Sequence, residues 1–256
     1  MQQRLRRQHQ AESKRKRLAM RNRANMRRTT IRKAFARSIP VMAGYIVLGI
    51  GFGVLMHAAG YGLLWTLAMS LLIYAGSMQY VGVGLLSGGA SVVTAILTTV
   101  MVNARHLFYS ISMIRVYRDS GRLKPYLIFT LTDETYSLLC DGDVPEGADA
   151  EFYRFLVSAF DHSYWVIGSV LGSLLGAVLP FSTEGIEFSM TALFLTSFVE
   201  QWIKKGNRIP ALTGLGATLL SLAVFGPERF LIPAMLLITL VLSLLRGRLG
   251  RGEAEA

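Results

Sequence analysis

The chain is short of charge over a long central stretch. Between Arg37 and Arg115 the one formally charged residue is Arg105. Charged residues make up 17% of the 256 positions, against roughly a quarter in a globular domain. That shortage excludes an ordinary soluble fold with a charged shell. Cysteine is nearly absent too: Cys140 stands alone, which excludes an internal disulfide. The usual catalytic patterns are missing. There is no His-Glu-x-x-His, no Gly-x-Ser-x-Gly, no Walker loop and no Cys/His metal spacing. His9, His57, His106 and His162 are scattered. These absences argue against an enzyme, a metal site and a cofactor.

What is there is apolar chain in lengths that suit a bilayer. Apolar segments fall at 39–58, 62–86, 91–114, 155–179, 187–203, 209–225 and 229–246. A spanning helix needs about 20 such residues. The expected fold is all-α: a polytopic helical membrane protein with about seven spanning segments. A shorter apolar stretch, 126–140, is interrupted by Asp133 and Glu134, and the acidic, turn-rich loop Asp141–Gly147 follows it.

The formal charge of +11 is concentrated at one end, because residues 1–33 hold 13 Lys or Arg and one acid, Glu12. A basic arm can bind nucleic acid. Here it leads into a hydrophobic segment, so it reads as a disordered cytoplasmic flank that orients the chain and meets anionic lipid. The transport domain is then expected at 34–246, with a short tail at 247–256. Met20 and Met26 are alternative starts. Ile39–Met56 is long for the core of a cleaved leader, and further spans follow it.

Positive charge also gathers at Arg115–Lys124, at Lys204, Lys205 and Arg208, and at Arg246–Arg251. The positive-inside rule wants all these clusters and the N-terminus on one side. Seven full crossings would separate the two tails. Either 126–140 also crosses, or one segment dips in and returns as a broken helix, which is tolerated where it lines a cavity. Gly76 and Ser77 mark the second segment for that break. An internal repeat is visible as well. Gly44–Gly49 followed by Gly53 resembles Ser163–Gly168 followed by Gly172, at an offset of 119 residues. Met78-Gln79-Tyr80 similarly answers Glu200-Gln201-Trp202. Repeats of this kind place binding sites at their interface in transporters. Gly168, Gly172 and Gly176 recur every fourth residue, the spacing that lets helix backbones approach closely.

Three polar insertions carry the chemistry. Tyr74-Ala75-Gly76-Ser77-Met78-Gln79-Tyr80 reads either as a helix joined to a neighbour through Ser77 or Gln79, or as an unwound stretch. Unwinding would expose backbone groups to a zwitterion. In Asn103-Ala104-Arg105-His106-Leu107-Phe108-Tyr109, Asn103, His106, Tyr109 and Ser110 share a helical face, and Arg105 points elsewhere. Arg105 either meets a carboxylate, of substrate or protein, or reaches headgroups from a helix end. An arginine within the bilayer costs ~2.5–3.5 kcal/mol even on lenient scales. In 126–140, Thr130, Asp133, Glu134 and Ser137 form one stripe opposite Leu127, Leu131 and Leu138. That stripe faces either water or a cavity, where neighbouring carboxyls can handle protons. Asp161-His162 and Glu200-Gln201 lie nearer span ends and read as interfacial.

Tyr74–Tyr80, Asn103–Tyr109 and Phe129–Tyr136 resemble the AzlC family, the large subunit of branched-chain amino acid exporters. Gly185–Phe194 is similar too, with Glu187 where an aspartate is expected. The likeness runs from about Ala34 to Leu245; the basic tail is outside the family pattern. The resemblance implies an exporter of leucine, isoleucine, valine and methionine in the bacterial cytoplasmic (inner) membrane, with a small hydrophobic AzlD-type partner. It supplies no binding residues. From polarity alone, the substrate is assigned to Tyr74, Gly76, Ser77, Gln79, Asn103 and Arg105. Asp133, Glu134 and His106 are assigned to proton coupling or to the substrate ammonium. Arg105 paired with a carboxylate that substrate breaks is the sharpest form of this reading. Lacking an ATP motif, such a transporter would draw on an ion gradient or a separate ATPase. The rivals are a membrane-embedded enzyme acting on lipid and a non-transporting receptor or assembly subunit.

Overall fold

A computed structural model describes the backbone of residues 2–178, 185, 188–203, 208–227 and 230–252. Among them all regular structure is helical: α1 (Gln2–Ala58), α2 (Leu63–Leu72), α3 (Gly76–Ser87), α4 (Val92–Asn103), α5 (Arg105–Val116), α6 (Lys124–Phe129), α7 (Asp133–Leu139), α8 (Ala150–Val178), α9 (Phe188–Ile203), α10 (Arg208–Phe225) and α11 (Leu231–Gly252). Helices cover the expected apolar segments wherever these are described, except for breaks at Ile73–Ala75 and at Ala104. Met20–Ala58 and Arg208–Phe225 are long and apolar enough to cross a membrane, and α4 with α5, bent by 42°, makes a third span if the pair is counted as one.

Three expectations need correction. The basic segment at 2–33 is helical rather than disordered, since α1 runs unbroken for 57 residues. Its Arg, Lys, Gln and Ala are good helix formers, and no glycine or proline precedes Pro40. Second, Asn103 does not lie on one helix with His106, Tyr109 and Ser110, because the chain bends by 42° between Asn103 and Arg105. Third, the stripe at 126–140 does not lie on one helix. The backbone leaves the helix at Thr130 and restarts at Asp133, where the Thr132 hydroxyl accepts the Thr135 N–H and caps α7. Thr130 is buried and Ser137 is exposed, so they do not share a face. The break expected at Gly76 is present: α2 ends at Leu72 and α3 opens with Gly76.

The chain packs as two compact units. The first comprises Met1–Val47 and Tyr109–Ile167. Its core is Ala34, Met113, Tyr117, Leu127, Leu131, Leu139, Tyr153 and Val157, with the Tyr109 and Tyr136 rings stacked at 5.0 Å beside it. The acidic loop is latched to α1. Lys33 Nζ donates to the Glu146 carbonyl at 2.6 Å, and Arg37 reaches the Leu138 carbonyl at 3.1 Å and Asp141 at 3.3 Å. The Thr30 hydroxyl accepts the Asp149 N–H at 3.0 Å, and Asp149 in turn accepts the Phe152 N–H at 2.8 Å in the first turn of α8.

The second unit comprises Leu48–Phe108 and Gly168–Ala256. In it α3 packs on α4, α9 on α10, and α10 along α11. The end of α1 crosses the second half of α8 on glycine. A Cβ built on Gly172 would overlap the Ile50 carbonyl, and one on Gly53 would overlap the backbone of Ser169 and Ser173. The small-residue spacing therefore brings two backbones together, as read. Gly53 and Gly172 are also 119 residues apart in the sequence.

Candidate functional site

In the second unit, the polar insertions of two segments meet. The chain between α2 and α3 is pulled out of helical form around Tyr74, whose φ is +43°. It is the one non-glycine residue with positive φ among those described. Such a conformation is strained in a bulky residue, and strain of ~1–3 kcal/mol persists mainly where function requires it. The break leaves carbonyls at the end of α2 and N–H groups at the start of α3 outside the helical ladder. Ser77 stands one residue past Gly76, and its hydroxyl takes a hydrogen bond from the Arg105 guanidinium. Arg105 opens α5 and is half-buried. Its side chain is thus directed at the broken helix, where the sequence left headgroups as an alternative.

Gln79 lies one turn further along α3 and is fully buried. Neither its amide oxygen nor its amide nitrogen has a hydrogen-bond partner among the described residues. Asn103 closes α4, and its side-chain oxygen is buried without a hydrogen-bond partner among the described residues. The Asn103 carbonyl lies 3.2 Å from His106 Nδ1. Tyr80 steadies α3 by donating its hydroxyl to the Leu48 carbonyl at 2.6 Å, with its ring 6.0 Å from Phe52. Of the residues singled out from the sequence, Tyr74, Gly76, Ser77, Gln79, Asn103, Arg105 and His106 all fall in this unit.

Asp133 and Glu134 fall in the first unit, at the start of α7. Both are half-buried. Glu134 Oε2 accepts the Tyr45 hydroxyl at 2.7 Å, and Tyr45 also lies 2.6 Å from the Thr132 hydroxyl. The Trp165 ring packs edge-on against Tyr45 at 5.5 Å. Thr132 and Thr135 continue the polar line to Asp161, whose Oδ2 accepts the Thr135 hydroxyl at 2.9 Å. Asp161 is 0% exposed and lies well inside α8. It is held inside the fold rather than on its surface. Its neighbour His162 is also buried and faces the Tyr126 hydroxyl at 3.1 Å. Sequence reasoning missed Tyr45, Thr132, Thr135 and Asp161 as one group. The available signal was an aspartate within the apolar segment 155–179 together with the cap pattern Thr132-Asp133-Glu134-Thr135. Glu187, with the side chains of Glu200 and Gln201, lies outside the described residues. Among the described residues no group of His, Cys, Asp and Glu is arranged to hold a metal.

Comparison with known proteins gives the context. The family model described as AzlC protein matches residues 40–179. The branched-chain amino acid transport protein AzlC of Bacillus subtilis is 44% identical over 88% of this chain and 88% of its own length. An uncharacterized membrane protein of Haemophilus influenzae is 44% identical over 82% of this chain and 86% of its own. The inner membrane protein YgaZ of Escherichia coli is 29% identical over 73% and 81%. No solved structure matches. The broken α2–α3 segment and the arginine that meets it lie inside the matched region, and on these grounds the chain belongs to the AzlC family.

Proposed function

We propose that the protein is a secondary transporter that carries branched-chain amino acids out across the bacterial cytoplasmic membrane. The supporting observation is the Arg105–Ser77 hydrogen bond at the α2–α3 break. A guanidinium offers a carboxylate two parallel donors, and a broken helix offers backbone groups to a zwitterion. Exchanging Ser77 for the substrate carboxylate would keep Arg105 paired throughout a transport cycle. Gln79 and Asn103 supply further polar contacts, and Tyr74, Gly76 and Met78 border the aliphatic part. The relative's name, with its branched-chain amino acid transport, agrees with this chemistry.

In this reading the seven apolar segments are multi-pass spans, and the two broken ones, α2–α3 and α4–α5, line the path. The glycine crossing of α1 and α8, with Gly53 against Gly172, supports an internal repeat whose halves rock against each other. Asp133, Glu134 and His106 are the proposed proton-handling groups. One proton moving down ~100 mV releases ~2.3 kcal/mol, enough for a gradient of roughly fifty-fold at that force. The chain is proposed as the large subunit of a pair with a small hydrophobic AzlD-type protein. The test is efflux of preloaded labelled leucine from cells expressing both subunits. Faster efflux than from vector-only cells is expected. Unchanged efflux, with both proteins shown in the membrane, would sink the assignment.

A further inference from the structure

The polar line in the first unit joins two carboxyl groups through three hydroxyls. Glu134 accepts from Tyr45 at 2.7 Å, and the Tyr45 and Thr132 oxygens are 2.6 Å apart. Thr132 meets Thr135 at 3.3 Å, and Thr135 donates to Asp161 at 2.9 Å. Each oxygen–oxygen link needs one proton between its atoms. There are four links and three hydroxyl protons. With both carboxylates ionised, Tyr45 serves Glu134 and Thr135 serves Asp161. Thr132 can then fill one of its two links, and the other is left without a proton. A single added proton on either carboxyl completes the line. Placed on Asp161, it turns every hydroxyl toward Glu134; placed on Glu134, it turns every hydroxyl toward Asp161.

A second observation points to the same place. Asp161 Oδ1 is buried and has no partner, and the residue forms no ion pair among the described residues. The groups around it are Thr135 and Glu134 from α7, Tyr117 from the chain just after α5, and Tyr164 on its own helix. Arg154 acts on Tyr117, and His162 is turned to Tyr126. A carboxylate buried without a cation is costly unless neutralised.

We propose that Glu134 and Asp161 act as one unit that binds a single proton, relayed between them by Tyr45, Thr132 and Thr135. Passage from Asp161 to Glu134 breaks the Asp161 O–H bond and forms one on Glu134. Each hydroxyl gives up its own proton and receives its neighbour's, so none carries charge afterwards. The unit is the ion-coupling element of the transport reading and rests on that reading for its purpose.

The test is infrared difference spectroscopy of the purified full chain across an acid–alkaline titration, reading the C=O stretch of protonated carboxyl groups. Asp161→Asn is expected to remove a carboxylic-acid band. Glu134→Gln is expected to remove the same band, because either amide donates into the line in place of the proton. The double variant then removes no more than either single one. Thr135→Val cuts the line, and the single titration step splits in two. Two bands that add in the double variant, or a Thr135→Val titration unchanged from wild type, would overturn the relay. If Asp161→Asn fails to fold, Glu134→Gln and Thr135→Val decide the matter: loss of the band in the first and two steps in the second support the relay. Leucine flux is followed in parallel with both subunits. Absent flux with the shared band intact overturns the transport reading alone, whereas normal flux with independent carboxyls overturns the relay alone.

Discussion

Replacing Gln79 by methionine should make the protein more stable and stop it transporting. The amide is buried, and neither of its polar atoms has a partner among the described residues. Leaving a buried polar group unsatisfied costs about 1–3 kcal/mol, so two atoms together cost ~2–6 kcal/mol. Methionine has nearly the same length and flexibility, and its helix propensity matches glutamine's. The substitution therefore keeps the packing of α3 while removing the desolvated amide. Taking the low end, ~2 kcal/mol, and about 2–4 °C per kcal/mol for a chain of this size, the midpoint should rise by roughly 4–8 °C. Thermal unfolding of the detergent-solubilised protein reads this directly. Saturating leucine should stabilise wild type, by ~2.7 kcal/mol at a hundred times its dissociation constant, and leave Gln79→Met unmoved. Efflux of labelled leucine should fall to the vector level. A lower melting point in Gln79→Met would mean that the amide holds the fold together. A normal efflux rate would remove it from the substrate path. Either result refutes the argument.

The other expectations are simpler. Gly172→Ala should prevent stable folding, since its Cβ would overlap the Ile50 carbonyl, whereas Gly44→Ala meets nothing within 4 Å and should express normally; membrane yield and size-exclusion profiles distinguish them. Arg105→Gln and Arg105→Lys should both cost transport, because lysine keeps the charge and loses the two-pronged donor geometry. A lost charged hydrogen bond of about 1.5–3 kcal/mol weakens leucine affinity by roughly ten- to a hundred-fold, and normal transport by both variants would reduce Arg105 to an anchor. Asp141→Asn breaks an ion pair whose side chains are 44% exposed, a class worth under ~1 kcal/mol, and leaves Arg37 on the Leu138 carbonyl, so melting should shift by only a few degrees and efflux should stay unchanged.

What could be read in advance followed from local chemistry. Apolar length marked the helices, and Gly76 beside Ser77 made the α2–α3 break one of the two readings open for that segment, since glycine eases a departure from helix. The direction of Arg105 was not legible, because the bend between Asn103 and Arg105 interrupts the continuous helix that residue spacing assumes, and its partner, Ser77, lies 28 residues away. The α6–α7 break shows why spacing can mislead. Thr130, Asp133, Glu134 and Ser137 fit a helical stripe, yet Thr132 followed by two acids is also a helix start, with a capping hydroxyl and negative charge in the first turn. Both patterns were present, and the cap prevailed because Thr132 and Thr135 become buried. A continuous helix has no use for a second hydroxyl line to Asp161; a restarted one aims it there. Asp161 was the hardest to read, since a carboxyl near a span end and one in a packed interior look alike in sequence. What separates them is a donor 26 residues earlier in the chain. In an apolar protein, then, a polar side chain is informative chiefly through the partner that holds it. Here the partners sort the polar residues into an Arg105–Ser77 group, proposed to take a carboxylate, and a Glu134–Asp161 line, proposed to carry a proton.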